Sequence, residues 1–288
     1  MIRKAVIPAA GFGTRFLPVS KSQPKEMLPI VDTPTIQYVV EEAVSAGVTD
    51  ILMIIGKGKR SIEEHFGRNW ELEAELAEKG REKELKAIRR ISDLANIHFI
   101  WQKELNGLGD AVSYARHHVG NEPFLLLLGD TLIQSKVSVT RRLSEIYERY
   151  NESVVALEEV PRELVGRYGV IGGKPIDNGL YLINDLVEKP DPETAPSNLV
   201  IAARYVFSPK IFDYIEKTPR GKGGEVQLTD AMKLMLRDSA MYGLLLDGHR
   251  HDIGNKLDFL KTNVIYGIDR EDFGAEFREF IKEIAKTL

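Results

Sequence analysis

The residues best suited to chemistry come early, in Pro8-Ala9-Ala10-Gly11-Phe12-Gly13-Thr14-Arg15, directly after the apolar run Ala5 to Ile7. Glycines lack a Cβ, so successive backbone N–H groups can converge on a phosphate oxygen. Thr14 adds a hydroxyl and Arg15 a charged fork, and the stretch therefore predicts a polyphosphate cradle at a strand end. An ordinary tight turn is the bland alternative. Two familiar loops are excluded: Pro18 stands where a dinucleotide fingerprint wants a third glycine, and no Gly-Lys-Ser/Thr closes the stretch as in an ATPase P-loop. Pro18, Pro24 and Pro29 instead keep the chain irregular, which leaves a long loop carrying Lys25.

Two carboxylates form the second constellation. Asp130 follows the apolar run Phe124 to Leu128, and Asp252 lies in His249-Arg250-His251-Asp252-Ile253-Gly254-Asn255, where a short strand should stop. Meeting at strand ends, they would suit a hard divalent cation such as Mg²⁺, which keeps several waters and bridges phosphate oxygens. Spacing alone equally allows two turn or cap residues. His249 and His251 read as structural, because no third transition-metal ligand is evident. A third constellation, Val187-Glu188-Lys189-Pro190, puts a hydroxyl acceptor beside a point charge, a pair able to hold a sugar phosphate by both ends or to form a salt-bridged turn.

The elements that must position these residues follow from periodicity. Thr35 to Gly47 has apolar residues at helical spacing, and Asp50 to Ile55 reads as a buried strand. Ser61 to His65 is helical, and Trp70 to Ile91, rich in Glu, Lys and Arg, predicts a solvated helical hairpin broken near Gly80. Ile97 to Trp101 is a strand, Gly107 opens a helix running to about His118, and Phe124 to Leu128 is again a strand. This alternation predicts a mostly parallel α/β sheet with ligands at the carboxyl ends of its strands, where the cradle, Gln102 and Asp130 all fall. Shorter strands follow at Val154 to Glu158, Tyr168 to Gly172, Leu180 to Glu188 and Leu199 to Phe207, with a hairpin signal at Asp177-Asn178-Gly179. Helices return at Pro209 to Glu216, Leu228 to Arg237, Lys256 to Gly267 and Ala275 to Thr287.

Composition bounds the partners. At 288 residues and 43% hydrophobic, the chain can bury a substantial core, and without repeats or low-complexity linkers one domain is expected over 1–288. A formal charge of -4 provides no basic field for nucleic acid, so an anionic ligand must be held by local cations. The absence of cysteine excludes disulfides, thiolate metal sites and cysteine nucleophiles. Short apolar runs and strand-like sequence from Ile2 leave no expected membrane span or signal peptide, and a cytoplasmic location is expected.

The ordered set Ala9 to Pro18, Pro24-Lys25-Glu26-Met27-Leu28-Pro29, Gly107-Leu108-Gly109, Gly129-Asp130, Glu188-Lys189-Pro190, Gly224 to Asp230 and His251 to Asn255 resembles the sugar-nucleotide pyrophosphorylases. It is most similar to the prokaryotic glucose-1-phosphate uridylyltransferases of the nucleotidyltransferase superfamily, from Lys4 to about Glu276. The resemblance implies a Rossmann-like α/β fold whose mixed, mostly parallel twisted sheet is flanked by helices. A helical insertion (about 70–92) and a C-terminal helical arm (about 255–288) complete it. It implies that Ala10, Gly11, Gly13 and Thr14 hold the nucleotide, with Arg15 and Lys25 at its phosphates and Glu26, Gln102 and Gly107 at the uracil edge. Gly169, Glu188, Lys189 and Arg204 would surround glucose 1-phosphate, with Arg15, Lys25 and Lys189 as the catalytic cations, and Asp130 and Asp252 would hold Mg²⁺. The implied partners are UTP, glucose 1-phosphate and further copies of the chain, as a dimer or tetramer. Relatives usually carry proline where this chain has Gly129, which loosens the backbone before the metal aspartate. A thymidylyltransferase, another sugar-1-phosphate nucleotidyltransferase, or a catalytically silent regulatory homologue remain alternatives.

Overall fold

The computed structural model describes residues 1–287, apart from the side chain of Lys222. Its first strand, β1 (Lys4–Ala9), leads through three short 3-10 turns to the strands β2 (Pro29–Ile30) and β3 (Thr33–Pro34). There follow α1 (Thr35–Ser45), β4 (Asp50–Ile55) and α2 (Arg60–Phe66). The charged insertion folds as α3 (Trp70–Glu78) and α4 (Glu82–Ser92), broken where Gly80 turns left-handed at φ 66°. Next come β5 (Asn96–Trp101), α5 (Leu108–Ser113), α6 (Arg116–Val119) and β6 (Phe124–Leu127). The helix expected over Gly107 to His118 is thus two short ones. β7 (Thr131–Ser135), α7 (Val139–Tyr150) and β8 (Ser153–Glu159) precede the hairpin of β9 (Gly169–Asp177) and β10 (Leu180–Glu188). The chain ends with β11 (Leu199–Phe207), α8 (Ile211–Lys217), α9 (Leu228–Met235), β12 (Met241–Leu245), β13 (Gly248–Asp252), α10 (Lys256–Ile268) and α11 (Gly274–Ala285).

Nine strands form one sheet in the order β5-β4-β1-β6-β11-β8-β12-β10-β9. The first four are parallel, as the strand-helix alternation of that half requires. β11 then runs antiparallel between β6 and β8, and β10 antiparallel between β12 and β9, so the parallel character is confined to that half and the β8–β12 pair. Strand alternation sends Ala5, Ile7 and Ala9 to one face and Val6 to the other, and each face is covered by helices. On the first face lie Ile36, Val39 and Val40 of α1, Ile62 and Phe66 of α2, and Val139 and Leu143 of α7. On the second lie Val112 of α5, Phe212 and Ile215 of α8, and Met232 and Met235 of α9. Outside this sheet, β7 and β13 pair as a separate antiparallel ribbon with Asp252 opposite Thr131. No helix of the described residues is long and apolar enough to cross a membrane.

Candidate active site

The glycine loop leaves the end of β1 beside the ends of β4 and β6. Gly13 is left-handed at φ 66°, and a Cβ there would stand 3.1 Å from Lys25 Cβ. Its lack of a side chain therefore lets the Lys25 stem pass across the loop. Phe16 anchors the loop from below, buried and edge-on to Phe259 of α10 at 5.6 Å. Thr14 and Arg15 remain exposed, and the Arg15 guanidinium approaches the Gly254 carbonyl at 3.4 Å.

Lys25 Nζ reaches Asp130 Oδ2 at 2.5 Å. Burial opposes the charge on Asp130, yet Lys25 outweighs it and holds the carboxyl below its ordinary value. Burial likewise opposes the Lys25 ammonium, and Asp130 outweighs it to raise that group. Asp252 behaves differently: burial first, then repulsion from Asp130, pushes its carboxyl up. The two acids converge at Gly254, where a Cβ would stand 3.0 Å from Asp252 Oδ1 and 3.3 Å from Asp130 Oδ2. Backbone register explains the convergence, because β7 begins right after Asp130 and β13 ends at Asp252. The Asp130 carbonyl also accepts from Ile253 N–H at 3.0 Å, which pins the backbone that Gly129 would otherwise loosen.

Two repelling, largely buried carboxylates fit a hard divalent cation that keeps part of its water shell. Among the described residues no group of three or more potential His, Asp or Glu ligands gathers, so an all-protein cage is not what this donor set builds.

Beyond the acids lies a pocket of about 280 Å³ lined by Gly169, Glu188, Lys189, Gln227 and Thr229 as well as Asp130 and Asp252. Thr229 Oγ1 donates to Glu188 Oε2 at 2.7 Å, and Lys189 Nζ reaches Glu188 Oε1 at 2.9 Å. Gly169 is required by close approach, since a Cβ there would stand 2.8 Å from Thr229 Oγ1. Gly107 packs as closely on the next wall, where a Cβ would lie 2.8 Å from the Val226 carbonyl. Gln102, buried at the end of β5, donates to Asp110 Oδ2 at 2.7 Å, and Glu26, 1% exposed, accepts from Lys59 at 2.7 Å. Burial raises the Glu26 carboxyl despite that partner.

One expected member is misplaced. Arg204 does not line the pocket: it is 0% exposed and its Nη2 donates to Glu42 of α1 at 2.7 Å and to the Thr131 carbonyl at 2.8 Å. It shares the sheet face of Ala202 and Val206, whereas Ala203 and Tyr205 turn toward the pocket. Thr229, Gln227, Tyr168 and Arg167 line it without having been assigned a role from sequence. The run Glu225-Val226-Gln227-Leu228-Thr229 was the available signal for two of them.

A sheet that presents a glycine loop, paired acids and a lysine-bearing polar pocket at its strand ends defines an enzyme of the α/β class that handles phosphorylated substrates. The chain belongs to the nucleotidyl transferase family, whose sequence profile matches residues 4–267. A Methanocaldococcus jannaschii protein, provisionally named a UTP–glucose-1-phosphate uridylyltransferase, is 52% identical over 288 residues, which is 100% of both chains. The Bacillus subtilis UTP–glucose-1-phosphate uridylyltransferase YngB is 48% identical over 99% of this chain and 96% of its own length. A crystal structure of UDP-glucose pyrophosphorylase complexed with UDP-glucose is similar at a TM-score of 0.87 and 40% identity, covering 94% of this chain and 100% of that one. The family and the α/β fold expected from sequence are thereby borne out.

Proposed function

We propose that the protein transfers the uridylyl group of UTP to glucose 1-phosphate, giving UDP-glucose and pyrophosphate. The observation that carries this reading is the position of Asp130 and Asp252, which meet Lys25 and Arg15 on one side and line the Glu188–Lys189 pocket on the other. Acids at that boundary lie where a triphosphate in the loop would face a second substrate in the pocket. The named activities of the relatives support the same pair of substrates.

In the reaction an oxygen of the sugar phosphate attacks the α-phosphorus of UTP. A new P–O bond forms while the bond to the bridging oxygen breaks, and pyrophosphate leaves with the electron pair. The nucleophile is already anionic, so positioning and charge neutralisation replace a strong general base. Gly11 and Gly13 present backbone donors to the triphosphate, with Ala10 and Thr14 beside them, and Arg15 steadies the departing pyrophosphate. Lys25 faces the phosphates from the loop, and Lys189 holds the sugar phosphate. Glu188, fixed by Thr229, accepts sugar hydroxyls next to Gly169, and Glu26, Gln102 and Gly107 lie on the uracil side. Asp130 and Asp252 would hold Mg²⁺, which supplies further charge neutralisation on the triphosphate.

The exposed Leu257 and Leu260 of α10 and Phe280 and Ile284 of α11 support a homo-oligomer, and a UTP-consuming reaction supports a cytoplasmic setting. The test is pyrophosphate release from a panel of nucleoside triphosphates and sugar 1-phosphates, with and without Mg²⁺. UTP with glucose 1-phosphate should give the highest kcat/KM, and release requiring dTTP or another sugar phosphate would overturn the substrate assignment.

A further inference from the structure

The pocket contains a cation that these roles leave unused. Arg167 closes the 3-10 turn Arg162–Arg167 and lines the pocket with Gly169, Glu188 and Lys189. Its cationic neighbours are engaged: Arg250 pairs with Glu158 and stacks over Tyr168 at 4.5 Å, and Lys189 is shared with Glu188. The Arg167 side chain forms no hydrogen bond or ion pair among the described residues.

Backbone geometry holds Arg167 and Lys189 at the same end of one hairpin. Glu188 is in register with Gly169, and Lys189 N–H donates to the Tyr168 carbonyl at 3.0 Å. Lys189 itself is left-handed at φ 47°, a conformation that a lysine keeps only when its surroundings impose it. Arg162 adds a tie, donating to the Pro192 carbonyl at 2.7 Å and to the Ala195 carbonyl at 2.6 Å. The turn bearing Arg167 is thereby fastened to the segment that follows Lys189.

We propose that Arg167 is the second phosphate-binding cation of this pocket, closing with Lys189 on the phosphate of a sugar 1-phosphate. The proposal rests on the transferase reading. Asp130, Glu188, Glu225 and Asp252 all line the pocket, so an incoming phosphate dianion meets strong repulsion. A single lysine already shared with Glu188 offsets little of it. A guanidinium supplies parallel N–H donors matched to phosphate oxygens, and one without a protein partner gives up no existing ion pair when it binds.

The experiment compares wild type, Arg167→Ala and Arg167→Lys by initial rates of pyrophosphate release, varying each substrate while the other is saturating. Arg167→Ala should raise the KM for glucose 1-phosphate by about tenfold or more, as expected for a charge-assisted hydrogen bond, and leave the KM for UTP unchanged. Arg167→Lys should recover part of the loss, and because the side chain is exposed the melting temperature should not move. An unchanged KM for glucose 1-phosphate, or a rise confined to UTP, would overturn the assignment while wild-type turnover still upheld the transferase reading. Absence of wild-type turnover with every substrate pair would overturn that reading and the proposal together.

Discussion

Lys25 and Asp130 join the glycine loop to the acidic end of the parallel strands through a 2.5 Å ion pair. A lysine so placed competes with any cation for the same carboxylate. In Lys25→Met the competing charge is gone, so Mn²⁺ should bind the nucleotide-free protein more tightly than in wild type. Turnover should nevertheless fall by about a hundredfold, the scale of losing one donor to a developing charge. Calorimetric titration with Mn²⁺ and steady-state rates check the two halves, and weaker Mn²⁺ binding in the variant would refute the competition.

A divalent cation should also stabilise the fold. Asp252 is destabilised as an anion by burial and by Asp130, and a bound ion removes both penalties. At about a hundred times its Kd a ligand specific for the folded state adds about 2.7 kcal/mol. Thermal melts in Mg²⁺ against a chelator should show this as a raised midpoint in wild type, and the rise should vanish in Asp252→Asn.

Arg204→Ala should behave as a core mutation. Removing one partner of a buried ion pair leaves Glu42 uncompensated, at a cost of about 3 kcal/mol. Denaturant unfolding should report that loss, while the folded fraction keeps the wild-type KM for glucose 1-phosphate. A selective rise in that KM would return Arg204 to the pocket.

The charged insertion carries a pH dependence of its own. Glu73 is held at about 2, first by hydrogen bonding to Arg68, against burial, and then by Arg89. A carboxyl whose pKa is lower in the folded state stabilises above its unfolded value of 4.5 and loses that contribution as pH falls toward 2. Melts between pH 5 and pH 3 should therefore drop more steeply for wild type than for Glu73→Gln. Parallel curves would remove Glu73 from the account.

Much of this was readable in the chain because the signals are local. Asn178-Gly179 announces the β9–β10 hairpin, Gly80 splits the insertion, and Asp130 closes an unbroken apolar strand. β12 is bounded by Asp238-Ser239 and Asp247-Gly248, yet its insertion between β8 and β10 is not a local property, and α7 has Val139, Leu143 and Tyr147 at helical spacing without having been assigned from sequence. The site was less legible where contact depends on register. Arg204 follows the alternation of its strand onto the face of Ala202 and Val206, but its partner Glu42 lies far off in the chain on α1, so that ion pair has no local signal. Thr229 meets Glu188 only because α9 begins beside the end of β10.

The β7–β13 ribbon gives the site a history as well as a shape. Its strands come from the middle and the far end of the chain, and only their pairing brings Asp130 to Asp252. On the ribosome the glycine loop, Lys25 and Asp130 emerge before Asp252, and the acidic pair cannot form until β13 has been synthesised. A nascent chain can therefore pair Lys25 with Asp130 well before Asp252 arrives to complete the acidic end of the site.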